Sequence, residues 1–211
     1  MKTAVILPVK TFSKSKSRLN LSQQNVERLC EIMLKEILQI TSESKLIDDI
    51  ILVSKDDSAF AIGKKFRCIE IIDEKESGVN NAVSLANKFL VEHEYSCSIV
   101  LPQDIPLIIP EDLDNLVKLN QNRKHAIIVP SRHFDGTNAL VRTPVPNLKT
   151  RYDEGSYKFQ FEPFKSSKIK YSLALIYRIM IDIDNIVDVN YLIKQNLKPS
   201  FSTQINEIFS E

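Results

Sequence analysis

Short, largely apolar runs alternate with amphipathic helical stripes as far as Val129, and few folds accommodate that order. Thr3–Val9 (TAVILPV), Asp49–Ser54 (DIILVS), Cys68–Asp73, Ser98–Leu101 (SIVL) and Ala126–Val129 (AIIV) read as buried strands. Between them, Leu21–Thr41 carries Val26, Leu29, Cys30, Met33, Leu34 and Ile37 at helical spacing, with Ser22 placed to cap its start. Ser58–Phe66 and Asn80–His93 read as further helices. Pro110, Glu111 and Asp112 open another, because proline suits the first turn and acids there favour the helix dipole. Strands that are apolar on both faces need cover on both sides. The alternation therefore predicts an α/β fold with a mostly parallel sheet between helix layers.

The second half is less regular. Asn138–Arg142 reads as a short strand, and Pro144 and Pro146 interrupt regular structure beyond it. Tyr157–Phe164 is ambiguous, Lys168–Ile183 holds two apolar runs, and Val187–Leu197 reads as a helix. No repeat, low-complexity tract or flexible linker interrupts the 211 residues. The expectation is one domain over residues 1–211, with an irregular insertion at about 132–167.

A net charge of +1 implies no bulk attraction to nucleic acid or membrane, so any positive field must be local. No stretch approaches the ~18 apolar residues of a membrane span. Cys30, Cys68 and Cys97 are an odd, widely spaced set, which fits a reducing compartment and a cytoplasmic protein. His93, His125 and His133 do not fall at zinc-ligand spacing.

Four segments carry the chemistry. The first strand stops at Pro8 and runs into KTFSKSKSRL, with Lys10, Lys14, Lys16 and Arg18 and no acid among them. Cations at the carboxyl end of a sheet strand suit phosphates, which Lys meets as a point charge and Arg as a fork. The plain alternative is a solvated basic loop. In LPQDIPL, Asp104 appears where a buried strand ends; alone it is equally a turn residue. Asp182 and Asp184 lie on one face if extended, and their oxygens suit Mg²⁺ completed by substrate phosphates. Otherwise Asp184 caps a helix and Asp182 is merely exposed. DGTNAL offers Thr137 and Asn138 beside a tight turn able to hold an anion, and Glu154-Gly155-Ser156 is a similar turn. The alternative for both is an ordinary loop turn. Together these parts suit nucleotidyl transfer.

The order LPVK, KSRL, ESGVNNA, LPQDIPL, DGTNAL, EGS and DIDNIVDV resembles the 2-phospho-L-lactate guanylyltransferases of coenzyme F420 biosynthesis, from about Met1 to Leu197. The resemblance implies a three-layer α/β/α Rossmann-like fold of the GT-A-like nucleotidyltransferases, with a mostly parallel mixed sheet. It implies GTP and a small phosphorylated acid as substrates and Mg²⁺ or Mn²⁺ as cofactor. A homodimer is left open. Pro8, Lys10, Lys16, Arg18 and Pro102 would lie along the nucleotide, with Lys10, Lys16, Arg18 and Asp104 catalytic and Asn80 near the guanine or ribose. Asp104 with Asp182 or Asp184 would hold the metal, and Thr137, Asn138, Asp153, Gly155 and Ser156 would bind the acceptor. Departures cluster around the acceptor: Asp153 follows Tyr152 where the family has glycine, Gln160 stands where histidine is common, and His133-Phe134-Asp135-Gly136 is thin in glycine. Phosphoenolpyruvate and 3-phosphoglycerate are related acceptors. The rival readings are another acceptor or nucleotide on the same fold, and a non-catalytic nucleotide-binding protein.

Overall fold

The structure, a computed structural model, describes residues 2–120, 124–145, 149–152, 156–167 and 169–210, with Ser156 described in its backbone alone. Its elements run β1 (Thr3–Pro8), α1 (Gln23–Glu43), β2 (Asp49–Ser54), α2 (Asp57–Gly63), β3 (Ile69–Ile72), α3 (Val79–Glu92), β4 (Cys97–Val100), α4 (Pro110–Asn120) and β5 (His125–Pro130). Then come β6 (Thr137–Thr143), α5 (Ser156–Phe159), α6 (Phe161–Ser166), β7 (Lys170–Leu173), α7 (Tyr177–Met180), α8 (Ile186–Gln195) and α9 (Pro199–Ser210).

The strands form one sheet in the order β3-β2-β1-β4-β6-β5-β7. Only β6 runs antiparallel to its neighbours, β4 and β5; the other pairings are parallel. The chain steps outward from β1 to β2 and β3, then returns past β1 to lay down β4 on its other side. The strand order thus reverses between β1 and β4. In an open α/β sheet the crevice outside the carboxyl ends at such a point is where ligands bind.

Strand alternation divides the core in two. Val5 and Leu7 of β1 pack with α1, α2, α4, α8 and α9, while Ala4 and Ile6 pack with α3 and α6. All four are fully buried. At about 1.5–3 kcal/mol for each large aliphatic side chain, a one-residue slip of β1 would be strongly opposed. That fixes where Pro8 and the loop after it emerge. The caps agree with the sequence reading: Ser22 Oγ accepts from Asn25 N at 3.2 Å, and Pro110 begins α4. Asp112 closes α4's first turn on Ile109 N and takes a bidentate pair from Arg178 at 2.7 Å.

Three elements differ from expectation. Asn138–Arg142, read as a short strand inside an irregular insertion, is indeed a strand, but β6 is buried inside the sheet. Tyr157–Phe164 resolves into α5 and α6. Beyond Leu197 no element was expected, but α9 buries Phe201, Ile205 and Ile208 on one face. Cys30 and Cys97 are buried, and all three cysteines are free. Among the described residues no helix is long and apolar enough to cross a membrane.

Candidate active site

Two adjoining pockets open at the crevice. One, of about 290 Å³, is lined by the basic loop with Pro102, Gln103, Asp104 and Asp184. The other, of about 330 Å³, has apolar walls from Val9, Val53, Val79 and Ala82. Pro8, Lys10 and Val79 border both, so a single nucleotide-sized ligand can span them.

The basic loop is built, not loose. It makes two short 3₁₀ turns, Phe12–Lys14 and Ser17–Leu19, anchored by buried Phe12 and Leu19. Phe12 N donates to Asp56 Oδ2 at 2.9 Å, and Thr11 N donates to Glu76 Oε1. Glu76 also takes Lys14 Nζ on Oε2 at 3.0 Å. Burial works against its charge, but the bonds from Thr11 and Lys14 outweigh it and hold the carboxyl at about 2.

The expectation that all four cations await phosphates needs correction. Lys16 Nζ lies 2.5 Å from Asp104 Oδ2 and 3.0 Å from Asp184 Oδ1, and also donates to Ile183 O. Lys14 is committed to Glu76. The reason is topological: the acids come from the ends of other strands and converge on the same rim. Among the described residues, Lys10 and Arg18 carry no ion pair, and both line the basic pocket. Burial would favour neutral Lys16, yet Asp104 and Asp184 hold its pKa above the ordinary lysine value.

Asp182 lies at the same place. Its carboxyl is pushed up to about 7 by burial, with Asp104 and Asp184 adding to the shift and Asn138 opposing it. Asp184 does not cap α8; Asn185 does, in a capping box with Asp188. Among the described residues no three acidic, histidine or cysteine side chains are arranged around one metal position. The arrangement nevertheless suits a hard cation, because two carboxylates and a carbonyl already surround the Lys16 ammonium.

The residues expected at the acceptor fare unevenly. Thr137 is buried at the start of β6. Asn138 Nδ2 donates to Ile179 O at 3.0 Å, so it secures the segment leading to Asp182. The anion concavity expected at DGTNAL is instead a closed turn: Ser131 Oγ takes the N–H groups of Asp135 and Gly136. Asp153 and Gly155 lie outside the described residues.

Asn80 was expected near the base or ribose, but its Oδ1 accepts from Thr150 Oγ1 and Tyr152 N. It fastens the 149–152 segment to α3. The sequence reading missed Asp73, Glu76 and Gly78, which line the apolar-walled pocket. Gly78, at φ 102°, could have been suspected as a scarce glycine just before a helix.

The seven-stranded, mostly parallel sheet with paired pockets at its switch point is an α/β fold of the Rossmann-like nucleotidyltransferase type. Over residues 3–197 the chain matches the family described as "Guanylyl transferase CofC like", and it belongs to that family. The 2-phospho-L-lactate guanylyltransferase of Methanocaldococcus jannaschii is 32% identical over 193 residues, covering 90% of this chain and 81% of that protein. A phosphoenolpyruvate guanylyltransferase of Conexibacter woesei is 28% identical, covering 91% and 87%. In fold, the chain is like a Desulfovibrio desulfuricans G20 structure provisionally assigned to the nucleotide-diphospho-sugar transferases. The TM-score is 0.78 at 15% identity, covering 100% of this chain and 96% of that one.

Proposed function

We propose that this chain transfers GMP from GTP to 2-phospho-L-lactate, giving lactyl-2-diphospho-5′-guanosine and pyrophosphate as in coenzyme F420 biosynthesis. The observation that carries the reading is the convergence of Lys16, Asp104 and Asp184 in the basic pocket, which adjoins the apolar-walled one. Membership of a guanylyltransferase family supports the choice of base.

An oxygen of the acceptor phosphate attacks the α-phosphorus of GTP. The bond from that phosphorus to the bridging oxygen breaks in line, and pyrophosphate leaves with the electron pair. No covalent enzyme intermediate is required. Asp104 and Asp184, with Asp182 close by, would hold Mg²⁺ or Mn²⁺, which when bound supplies charge to the phosphate oxygens. Lys10 and Arg18 hold the triphosphate against the backbone at Pro8 and Pro102. Lys16, released from its carboxylates as the site fills, adds a third cation for the departing pyrophosphate. Thr137, with Asp153, Gly155 and Ser156, would receive the acceptor, while Asn138 positions Asp182.

Phosphoenolpyruvate is the second reading for the acceptor, favoured by the relative from Conexibacter woesei that carries that name. The test is incubation with GTP, Mg²⁺ and each of 2-phospho-L-lactate, phosphoenolpyruvate and 3-phosphoglycerate, following pyrophosphate. Release with 2-phospho-L-lactate above the other two is expected. Release with none of them, from protein that binds GTP, would leave a nucleotide-binding protein without this activity.

A further inference from the structure

The apolar-walled pocket contains two carboxylates, from Asp73 and Glu76, and they are not equivalent. Glu76 has both oxygens engaged, Oε1 by Thr11 N and Oε2 by Lys14 Nζ. Asp73 is 95% buried, being only 5% exposed. Its Oδ1 accepts from Asn81 Nδ2 at 2.7 Å and from Glu76 N at 3.1 Å, which fixes the plane of the carboxyl group. Among the described residues its Oδ2 accepts from nothing. A carboxylate oxygen held in a fixed plane without a donor among the described residues, in a pocket walled by valine and alanine, is placed to accept donors from a ligand.

We propose that Asp73 reads the Watson–Crick edge of guanine. This rests on the reading of the pocket pair as a GTP site and names the side chain that selects the base. Guanine presents N1–H and the N2 amino group side by side, two donors for one carboxylate oxygen. Cytosine and adenine each present one amino group next to a bare ring nitrogen, whose lone pair faces the carboxylate unfavourably. Uracil offers one N–H between two carbonyl oxygens. A buried acceptor left without its donor is what rejects the wrong base. The pocket, at about 330 Å³, is small for a ligand site, and it joins the basic pocket through Pro8, Lys10 and Val79. Base and triphosphate therefore fit end to end.

The internal bonds make Asp73→Asn a directed test. The amide oxygen stays on Asn81 Nδ2 and Glu76 N, so the amide NH₂ takes the place of Oδ2 and faces the base. That group opposes guanine and suits xanthine, which has an oxygen where guanine has its amino group. In equilibrium titrations Asp73→Asn should bind GTP about 10- to 100-fold more weakly and XTP about 10-fold more tightly than the parent. Glu76→Gln should gain no affinity for XTP. The parent itself should prefer GTP to ITP, which lacks the N2 amino group, by about 10-fold. This comparison holds even if Asp73→Asn does not fold. A parent that binds GTP and ITP equally, or a folded Asp73→Asn with unchanged GTP and XTP affinity, overturns the assignment of Asp73 while leaving the GTP site in place. A parent that binds GTP no better than CTP and ATP overturns the guanylyl reading itself.

Discussion

Lys16→Met removes a buried cation from between two carboxylates while keeping the length of the side chain. Lys16 is 8% exposed, Asp104 19% and Asp184 49%. At an effective dielectric near 20 each contact is worth about 6 kcal/mol of Coulomb attraction. Much of that is offset by stripping water from the ammonium. Removing one partner of a buried pair costs about 3–5 kcal/mol, because a charge is left uncompensated. The half-exposed Asp184 contributes little of this, at the ~0–1 kcal/mol of a surface pair. The expected loss is therefore about 2–4 kcal/mol, mainly through Asp104. At ~2–4 °C per kcal/mol for a chain of this size, the melting temperature should fall by about 5–15 °C without Mg²⁺. Millimolar Mg²⁺ should then restore more stability to the variant than to the parent, since the ion no longer competes with an internal ammonium. Thermal melts of both proteins with EDTA and with Mg²⁺ read this directly. Equal melting temperatures in EDTA, or an equal Mg²⁺ response in the two proteins, would show that Lys16 does not neutralise this site.

Asp104→Asn should lower kcat by about 100-fold or more at saturating Mg²⁺, since the lost charge stabilisation is worth several kcal/mol; parent-like turnover would remove Asp104 from the metal role. Thr137→Ala should raise the KM for the phosphorylated acid about five- to tenfold and leave GTP affinity unchanged; the reverse pattern in steady-state kinetics would exchange the two pockets. Glu76, held at about 2 against an ordinary 4.5, stabilises the fold fully above about pH 5 and loses that contribution as pH falls toward 2. Its ceiling is about 3 kcal/mol, and the 60% exposure of Lys14 reduces this to about 1–2. Urea melts of Glu76→Gln should therefore be weaker than the parent at neutral pH and converge with it in acid.

The inner parallel strands were legible because they are buried on both faces, whereas the exposed edge strand β7 was not read as a strand. A fully apolar hexamer between two helical stripes has few places to go other than the interior of a parallel sheet. The β1–β4 reversal, and with it the crevice, then comes from connection rules once β4 is recognised. Strand β6 was read as a strand, but its place inside the sheet was not legible. Asn138 and Arg142 put polar groups into a buried strand, and those groups find partners only in three dimensions. Arg142 donates to Ser98 Oγ and Asn87 Oδ1 from a fully buried position, with burial lowering its pKa to about 10. The stripe in α9 needed no tertiary information; Phe201, Ile205 and Ile208 stand at helical spacing after Pro199.

The site shows a different limit. Sequence composition identifies which segments are charged, but the partner of each charge is chosen by topology. Lys10, Lys14, Lys16 and Arg18 look equivalent in a loop without acids. Glu76 arrives at that loop from the end of β3, Asp104 from the end of β4, and Asp184 from the segment after α7. The loop is thereby sorted into two cations already spoken for and two, Lys10 and Arg18, facing the basic pocket. The same sorting separates the acids of the other pocket. Glu76 is consumed in fastening the loop, while among the described residues Asp73 keeps one oxygen without a donor. On the proposed reading, selection of the nucleotide depends on which charges the fold leaves uncancelled at its rim. A substitution that occupies Asp73 Oδ2 should alter nucleotide choice without moving a strand.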